Sequence, residues 1–193
     1  MHVFLTGTDT GVGKTYVSIA LVRAWRAAGH DAVGLKPIAA GDREDAIALA
    51  AAAGHADDPE FLDAINPVYL KTPAAPLIAA EAEGREPIDI SQVNQCIARF
   101  RRAQSHLVVE GVGGWREPLA PADTDREWVC PSSLPVVIVA RGALGTINHT
   151  LLTVDSIRHS RVRILGIIMN HGADVESDLF FKTAQQTNAE VLA

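Results

Sequence analysis

Cysteine is scarce in this chain. Two thiols, Cys96 and Cys130, stand among 193 residues and share no Cys-x-x-Cys spacing. That excludes a disulfide framework and a cysteine zinc site, and it fits a reducing cytosol. The seven histidines are scattered, with no His-Glu-x-x-His or comparable spacing, so no metal site built of histidine is expected. Basic excess is also lacking. A formal net charge of -6 argues against binding nucleic acid by bulk electrostatics. The one basic cluster, Arg99-Phe100-Arg101-Arg102, reads as the solvated end of a helix. Long apolar runs are missing, and none approaches the ~20 residues of a membrane helix. The chain opens on an apolar strand pattern, His2–Thr6, without the charged region and apolar stretch of a signal peptide. A cytoplasmic protein with neither a membrane nor a nucleic-acid partner is the resulting expectation. Aromatic residues amount to 5% of the chain and alanine is abundant, which favours helices packed closely on a sheet.

What is present is an alternation. Short apolar runs occur at Val3–Thr6, Ala32–Leu35, His106–Glu110, Pro135–Ala140 and Ile164–Met169. They are nearly continuous in apolar character, as expected of strands buried on both faces of a parallel sheet. Helical patterns lie between them. Lys14–Ala28 closes at Gly29 and Glu44–Ala53 at Gly54, each glycine standing just past a helix end. Asp89 or Ser91 offers a cap for a helix running to about Ala103, and Ile147–His159 and Val175–Thr187 complete the set. The stretch Asp57–Pro87 holds five prolines (Pro59, Pro67, Pro73, Pro76 and Pro87), so long regular elements are not expected there. With no repeat or linker, residues 1–193 read as a single α/β domain, a doubly wound parallel sheet with helices on both faces.

In such a sheet ligands gather beyond the carboxyl ends of the strands. After the first run comes Gly7-Thr-Asp-Thr-Gly-Val-Gly-Lys14-Thr15. Its glycines let successive N–H groups turn toward one centre, and the following helix adds its N-terminal partial charge. Lys14 supplies a charge for β- and γ-phosphates, and Thr15 a hydroxyl for Mg²⁺. The loop is a variant of Gly-x4-Gly-Lys-Ser/Thr, because Thr8 occupies the position of the first glycine and Gly7 precedes it. This loop in its strand-to-helix setting points to a fold of the P-loop NTPase type. Lys36-Pro37 follows the second run, and a lysine there favours an anionic group. Alone, Lys36 reads as a surface lysine before a turn, and Asp45 as an acidic residue of a first helical turn. Glu110, after three apolar residues in Leu107-Val-Val-Glu110-Gly-Val-Gly-Gly114-Trp115, is a stronger candidate for a metal support, since a carboxylate so placed is costly unless partnered. Arg141-Gly-Ala-Leu-Gly145-Thr-Ile-Asn148-His149 suggests another nest of backbone donors. Asn170, ending the fifth run, could read a purine edge or serve as a turn residue.

Together these segments resemble the dethiobiotin synthetase family. The variant loop Gly7–Thr15, Lys36-Pro37, Val109-Glu110-Gly-Val-Gly-Gly-Trp115, Gly145-Thr-Ile-Asn-His-Thr-Leu-Leu152 and the strand ending at Asn170 follow the family's order at about its spacing, from Val3 to about Asn170. The resemblance implies an ATP-dependent ligase of biotin synthesis that takes 7,8-diaminononanoate, CO2, ATP and Mg²⁺. It implies that Gly11, Val12, Gly13, Lys14, Thr15, Tyr16 and Asn170 bind the nucleotide, with Asn170 at the adenine. It further implies that Thr15, Asp45 and Glu110 surround the metal, and that Lys14, Lys36 and Thr10 serve the reaction. Lys36, Gly113, Gly145 and Asn148 would meet the substrate, the 145–149 loop reaching it across the interface of a homodimer.

Two departures stand out. Where the family usually carries Ser or Thr two residues before the position of Asp42, this chain has Ala40, which removes a hydroxyl from the substrate's reach. The chain also stops at Ala193, where family members usually continue through another strand and loop near the adenine, so weak base recognition is expected. The alternatives are a nucleotide-driven switch ATPase and a non-catalytic relative of the same fold. Against the first, Gly7-Thr8-Asp9-Thr10 lacks the extra lysine such proteins often carry.

Overall fold

The computed structural model describes residues 1–172 and Leu192. Five strands form the central sheet: β1 (His2–Gly7), β2 (Ala32–Leu35), β5 (His106–Gly114), β8 (Val136–Arg141) and β9 (Ile164–Asn170), in the order β2-β5-β1-β8-β9. Every neighbouring pair is parallel. The crossovers include α1 (Lys14–Ala27), α2 (Glu44–Ala52), α5 (Ile90–Ala103) and α7 (Thr146–His159).

The near-continuous apolar runs are explained by two cores. Side chains alternate across a strand, and on β1 Val3 and Leu5 enter one cluster while Phe4 enters the other. On β5, Val108 joins the first of these and Leu107 and Val109 the second; on β8, Val139 and the pair Val136 and Ile138 divide likewise. Helix α1 closes the first cluster with Val17 and Val22. Val93 and Ile97 of α5 and Val154 and Ile157 of α7 contribute to the second. The sheet is thus doubly wound, as its sequence pattern predicts. Close approach has a residue-level cause at Gly34 on β2. A Cβ there would stand 2.6 Å from Leu49 Cδ2, so the glycine lets α2 settle onto the sheet.

The proline-rich stretch contains only short elements: α3 (Pro59–Ile65), β4 (Val68–Leu70) and α4 (Pro76–Ala82). Pro59 and Pro76 open their helices, where the missing N–H costs nothing. Beyond the expected elements, β3 (Ile38–Ala40) follows Lys36-Pro37 and pairs in parallel with β4. A small antiparallel pair, β6 (Pro118–Ala120) and β7 (Asp123–Thr124), leads into α6 (Asp125–Ser132). Thr124-x-x-Glu127 is a capping box, with Thr124 N–H donating to Glu127 Oε2 at 2.7 Å. Strand β5 runs past Glu110 to Gly114, because that segment still pairs with Gly7. The helix expected at Val175–Thr187 lies outside the described residues. Among the described residues no helix is long and apolar enough to cross a membrane.

Candidate functional site

The loop after β1, the segment after β2 and the end of β5 meet at one cavity of about 400 Å³. Thr10, Gly11, Gly13, Lys14, Thr15, Lys36, Asp45 and Gly113 all line it. Eight of the residues read from sequence are therefore brought together. Glu110 lies beneath them, buried, and reaches them through Thr15 and Lys36.

Geometry ties these groups into one network. Thr15 Oγ1 is 2.6 Å from Asp45 Oδ1 and 2.8 Å from Glu110 Oε1. Lys36 Nζ donates to Asp45 Oδ2 at 2.6 Å and to Glu110 Oε1 at 2.7 Å. Burial opposes the charge on Lys36, but Glu110 and Asp45 outweigh it and raise its pKa. For Asp45, desolvation works upward and Lys36 reverses it, so the carboxyl is held below its ordinary range. Lys14 is the opposite case. Desolvation first, and the cation of Lys36 second, lower its pKa. Its ammonium donates to the Asp9 carbonyl at 3.2 Å, within the loop it belongs to. The negative charge of a bound phosphate would offset both effects, which makes this a place that favours an anion.

The other site residues lie at the margins. Val12 is buried beneath the loop, and its carbonyl accepts from Asn170 Nδ2 at 3.0 Å. Gly13 sits at φ 95 under that amide, and any Cβ would collide with Asn170. Asn170 thus braces the phosphate loop from the end of β9. Tyr16 is 72% exposed beside the loop. Gly145, at φ 90, caps the start of α7, and Asn148, exposed, follows in its first turn; neither lines the cavity of its own chain.

Three participants escaped the sequence reading. Asp125, at the start of α6, is completely buried, and its Oδ1 accepts from the Trp128 indole N–H at 3.1 Å. Its Oδ2 lies against Gly111, next to Glu110. Burial raises its pKa well above the ordinary value, against the Trp128 bond and the charges of Lys14 and Lys36. The capping box at Thr124–Glu127 was the available signal for α6, though nothing local to it foretold the burial. Arg43, just before α2, and Asn66, just after α3, belong to no motif that marks a role. A larger, apolar cavity of about 650 Å³ between α7 and β9 is lined mostly by residues such as Val154, Ile164 and Ile167, and the charged network does not extend to it.

The profile of a family described as an AAA domain matches residues 1–193. The ATP-dependent dethiobiotin synthetase BioD of Anaeromyxobacter dehalogenans is 45% identical over 172 residues, covering 87% of this chain and 75% of that protein. The chain belongs to the dethiobiotin synthetase family. Its relatives of the same name include those of Akkermansia muciniphila, 41% identical over 90% of this chain and 79% of that one, and Methanocaldococcus jannaschii, 35% identical over 98% and 88%. Among solved structures, the kinase domain of Escherichia coli tyrosine kinase ETK matches with a TM-score of 0.55 at 18% identity, covering 93% of this chain and 70% of that one. The septum site-determining protein MinD of Pyrococcus horikoshii, complexed with Mg-ADP, matches with 0.54 at 16%, covering 96% and 77%. At such identities the likeness is one of fold: this member of the dethiobiotin synthetase family has the fold of P-loop NTPases.

Proposed function

We propose that the chain is an ATP-dependent cyclo-ligase that forms dethiobiotin from 7,8-diaminononanoate and CO2. One amine of the substrate adds to CO2, giving a carbamate and releasing a proton. A carbamate oxygen attacks the γ-phosphorus of ATP and ADP leaves, forming a carbamoyl–phosphate anhydride. The second amine attacks the anhydride carbon, the C–O bond to phosphate breaks, and the ureido ring closes with loss of a proton. The observation that carries this reading is that the phosphate loop and Lys36 face one cavity, with the Lys36 ammonium held between Asp45 and Glu110.

Phosphoryl transfer depends chiefly on positioning and charge neutralisation. In this reading Gly11, Val12, Gly13 and Thr15 cradle the phosphates, with Tyr16 and Asn170 alongside the nucleotide. Lys14 balances charge on the transferring group, and Lys36 and Thr10 hold the carbamate beside it. The donor set also suits Mg²⁺, a hard cation that takes oxygen ligands and keeps phosphate oxygens in its shell. Thr15, Asp45 and Glu110 present three oxygens within one hydrogen-bonded cluster, and Glu110 Oε2, buried, has no hydrogen-bond partner among the described residues. These three residues would hold the ion, which supplies further neutralisation of the phosphate charge.

The same reading includes a homodimer. Gly145 and Asn148 lie away from the cavity of their own chain, and the segment around them exposes Leu144 at 82% and Leu152 at 61%. Apolar side chains so exposed favour burial against a second copy, which would carry Gly145 and Asn148 to the partner's substrate.

Incubation with 7,8-diaminononanoate, bicarbonate, Mg²⁺ and ATP tests the proposal. Dethiobiotin detected by mass, and absent with Lys14→Ala, is the expected result. ATP binding without product would overturn it.

A further inference from the structure

Asn66 stands outside the cavity, between the two elements that carry its charged residues. It is 2% exposed. Its Nδ2 donates to the Lys36 carbonyl at 2.7 Å and to the Val68 carbonyl at 3.2 Å. Its Oδ1 accepts from Arg43 Nε at 2.9 Å. The amide orientation is unambiguous, since the reverse would set oxygen against two carbonyls and nitrogen against a guanidinium.

This arrangement decides where Lys36 can sit. Lys36 follows β2 and precedes Pro37, so no sheet neighbour holds its peptide groups. Both are held by one short segment instead: its N–H donates to the Ile65 carbonyl at 3.2 Å, and its carbonyl accepts from Asn66. On the other side, Arg43 immediately precedes α2, the helix that carries Asp45. The guanidinium is anchored to Asn66 Oδ1 and also reaches Asp63 at 2.9 Å. One buried amide therefore joins the backbone of Lys36 to the start of the helix bearing its ion-pair partner. A buried amide with all its partners in place has little freedom, because each lost bond leaves a desolvated group.

We propose that Asn66 is a positioning residue that holds the Lys36 backbone and, through Arg43, the start of α2, so that Lys36 and Asp45 meet the reacting groups together. This rests on the cyclo-ligase reading for its consequence in turnover. The geometry of the clamp does not depend on it.

The test uses Asn66→Asp, which keeps the acceptor for Arg43 and removes both donors. Two readouts are taken on folded protein. The first is turnover with separate KM values. The expected result is a kcat lowered by about tenfold or more, the scale for outer partners that orient reacting groups, with KM for ATP near the wild-type value. The second is the rate at which an amine-acylating reagent modifies Lys36, read by peptide mass with the exposed Lys71 as internal control. Lys36 should be acylated several-fold faster in the variant and Lys71 at an unchanged rate. Arg43→Gln, which frees only the α2 end, should move both readouts in the same direction by less, and it decides the matter if Asn66→Asp does not fold. Unchanged Lys36 acylation together with unchanged kcat overturns the clamp and leaves the ligase reading intact. Faster Lys36 acylation in the variant, when the wild-type protein itself makes no dethiobiotin, supports the clamp and overturns the ligase reading.

Discussion

Lys36 Nζ lies 2.7 Å from Oε1 of Glu110, although 74 positions separate them in sequence. Their side chains are almost wholly withdrawn from solvent. Burial alone would push a lysine toward neutrality, yet Glu110 and Asp45 keep this one cationic. A permanent cation beside a phosphate loop suits an anionic intermediate.

Lys36→Met is expected to lower kcat by about 100-fold or more, the scale of lost positioning, while leaving ATP affinity largely intact. Glu110 would lose its counter-charge at a buried site. Stability should fall by part of the ~3–5 kcal/mol typical of a broken buried pair, since Asp45, the other partner, remains 43% exposed at its side chain and is screened. Steady-state kinetics, ATP titration and thermal melts check these in turn; a variant turning over at the wild-type rate would remove Lys36 from the reaction.

Ala40 lines the cavity next to Lys36 and Asp45 without a polar group. Ala40→Thr should lower the KM for the diamine by adding a hydroxyl, with a gain of roughly 0.5–1.5 kcal/mol for one net hydrogen bond. An equal or higher KM contradicts this.

Asp125 makes stability depend on pH in an unusual direction. Its folded pKa is raised above the ordinary 3.8, first by burial. The stabilisation it provides when protonated is complete below the unfolded pKa and is lost as pH rises through the folded one. Asn at this position keeps an oxygen for the Trp128 indole and cannot ionise. The Tm of Asp125→Asn relative to wild type should therefore rise as the pH climbs above the ordinary carboxyl value of 3.8. Parallel curves across that range would show that the carboxyl does not titrate with folding.

The two thiols should differ sharply in reactivity. Burial pushes Cys96 up to about 12, against a smaller opposing effect of Arg99, and its Sγ lies 3.3 Å from the Ala64 carbonyl. Cys130 is only partly buried. In a disulfide-exchange assay at pH 8, one thiol per chain should react quickly, and peptide mapping should place it at Cys130. Cys96 should react only on unfolding, because the thiolate is the reactive form.

Much of this protein was legible locally. Val3–Thr6 and Pro135–Ala140 read as doubly buried strands because both neighbouring faces of a parallel sheet demand apolar side chains. Gly7–Thr15 read as a phosphate loop because the backbone turn, the charge and the hydroxyl are encoded within a few residues. The five prolines correctly excluded long elements between Asp57 and Pro87, but two of them begin helices, a use that depends on what lies beside each.

Lys36, Asp45 and Asn66 show where local spacing stops. Singly, each reads as an ordinary turn or helix-start residue. Their meaning comes from β5 lying between β2 and β1, which sets Glu110 beside Lys36, and from α3 returning the chain so that Asn66 meets the Lys36 carbonyl. Strand order and the burial of Asp125 result from how long segments cross and pack, and no short pattern carries that information. Residue spacing settled the elements and the phosphate loop, because those are made by neighbours in the chain. Which distant side chains share a buried charge was settled by folding, because the desolvation that makes such a charge need a partner exists only once the sheet is assembled.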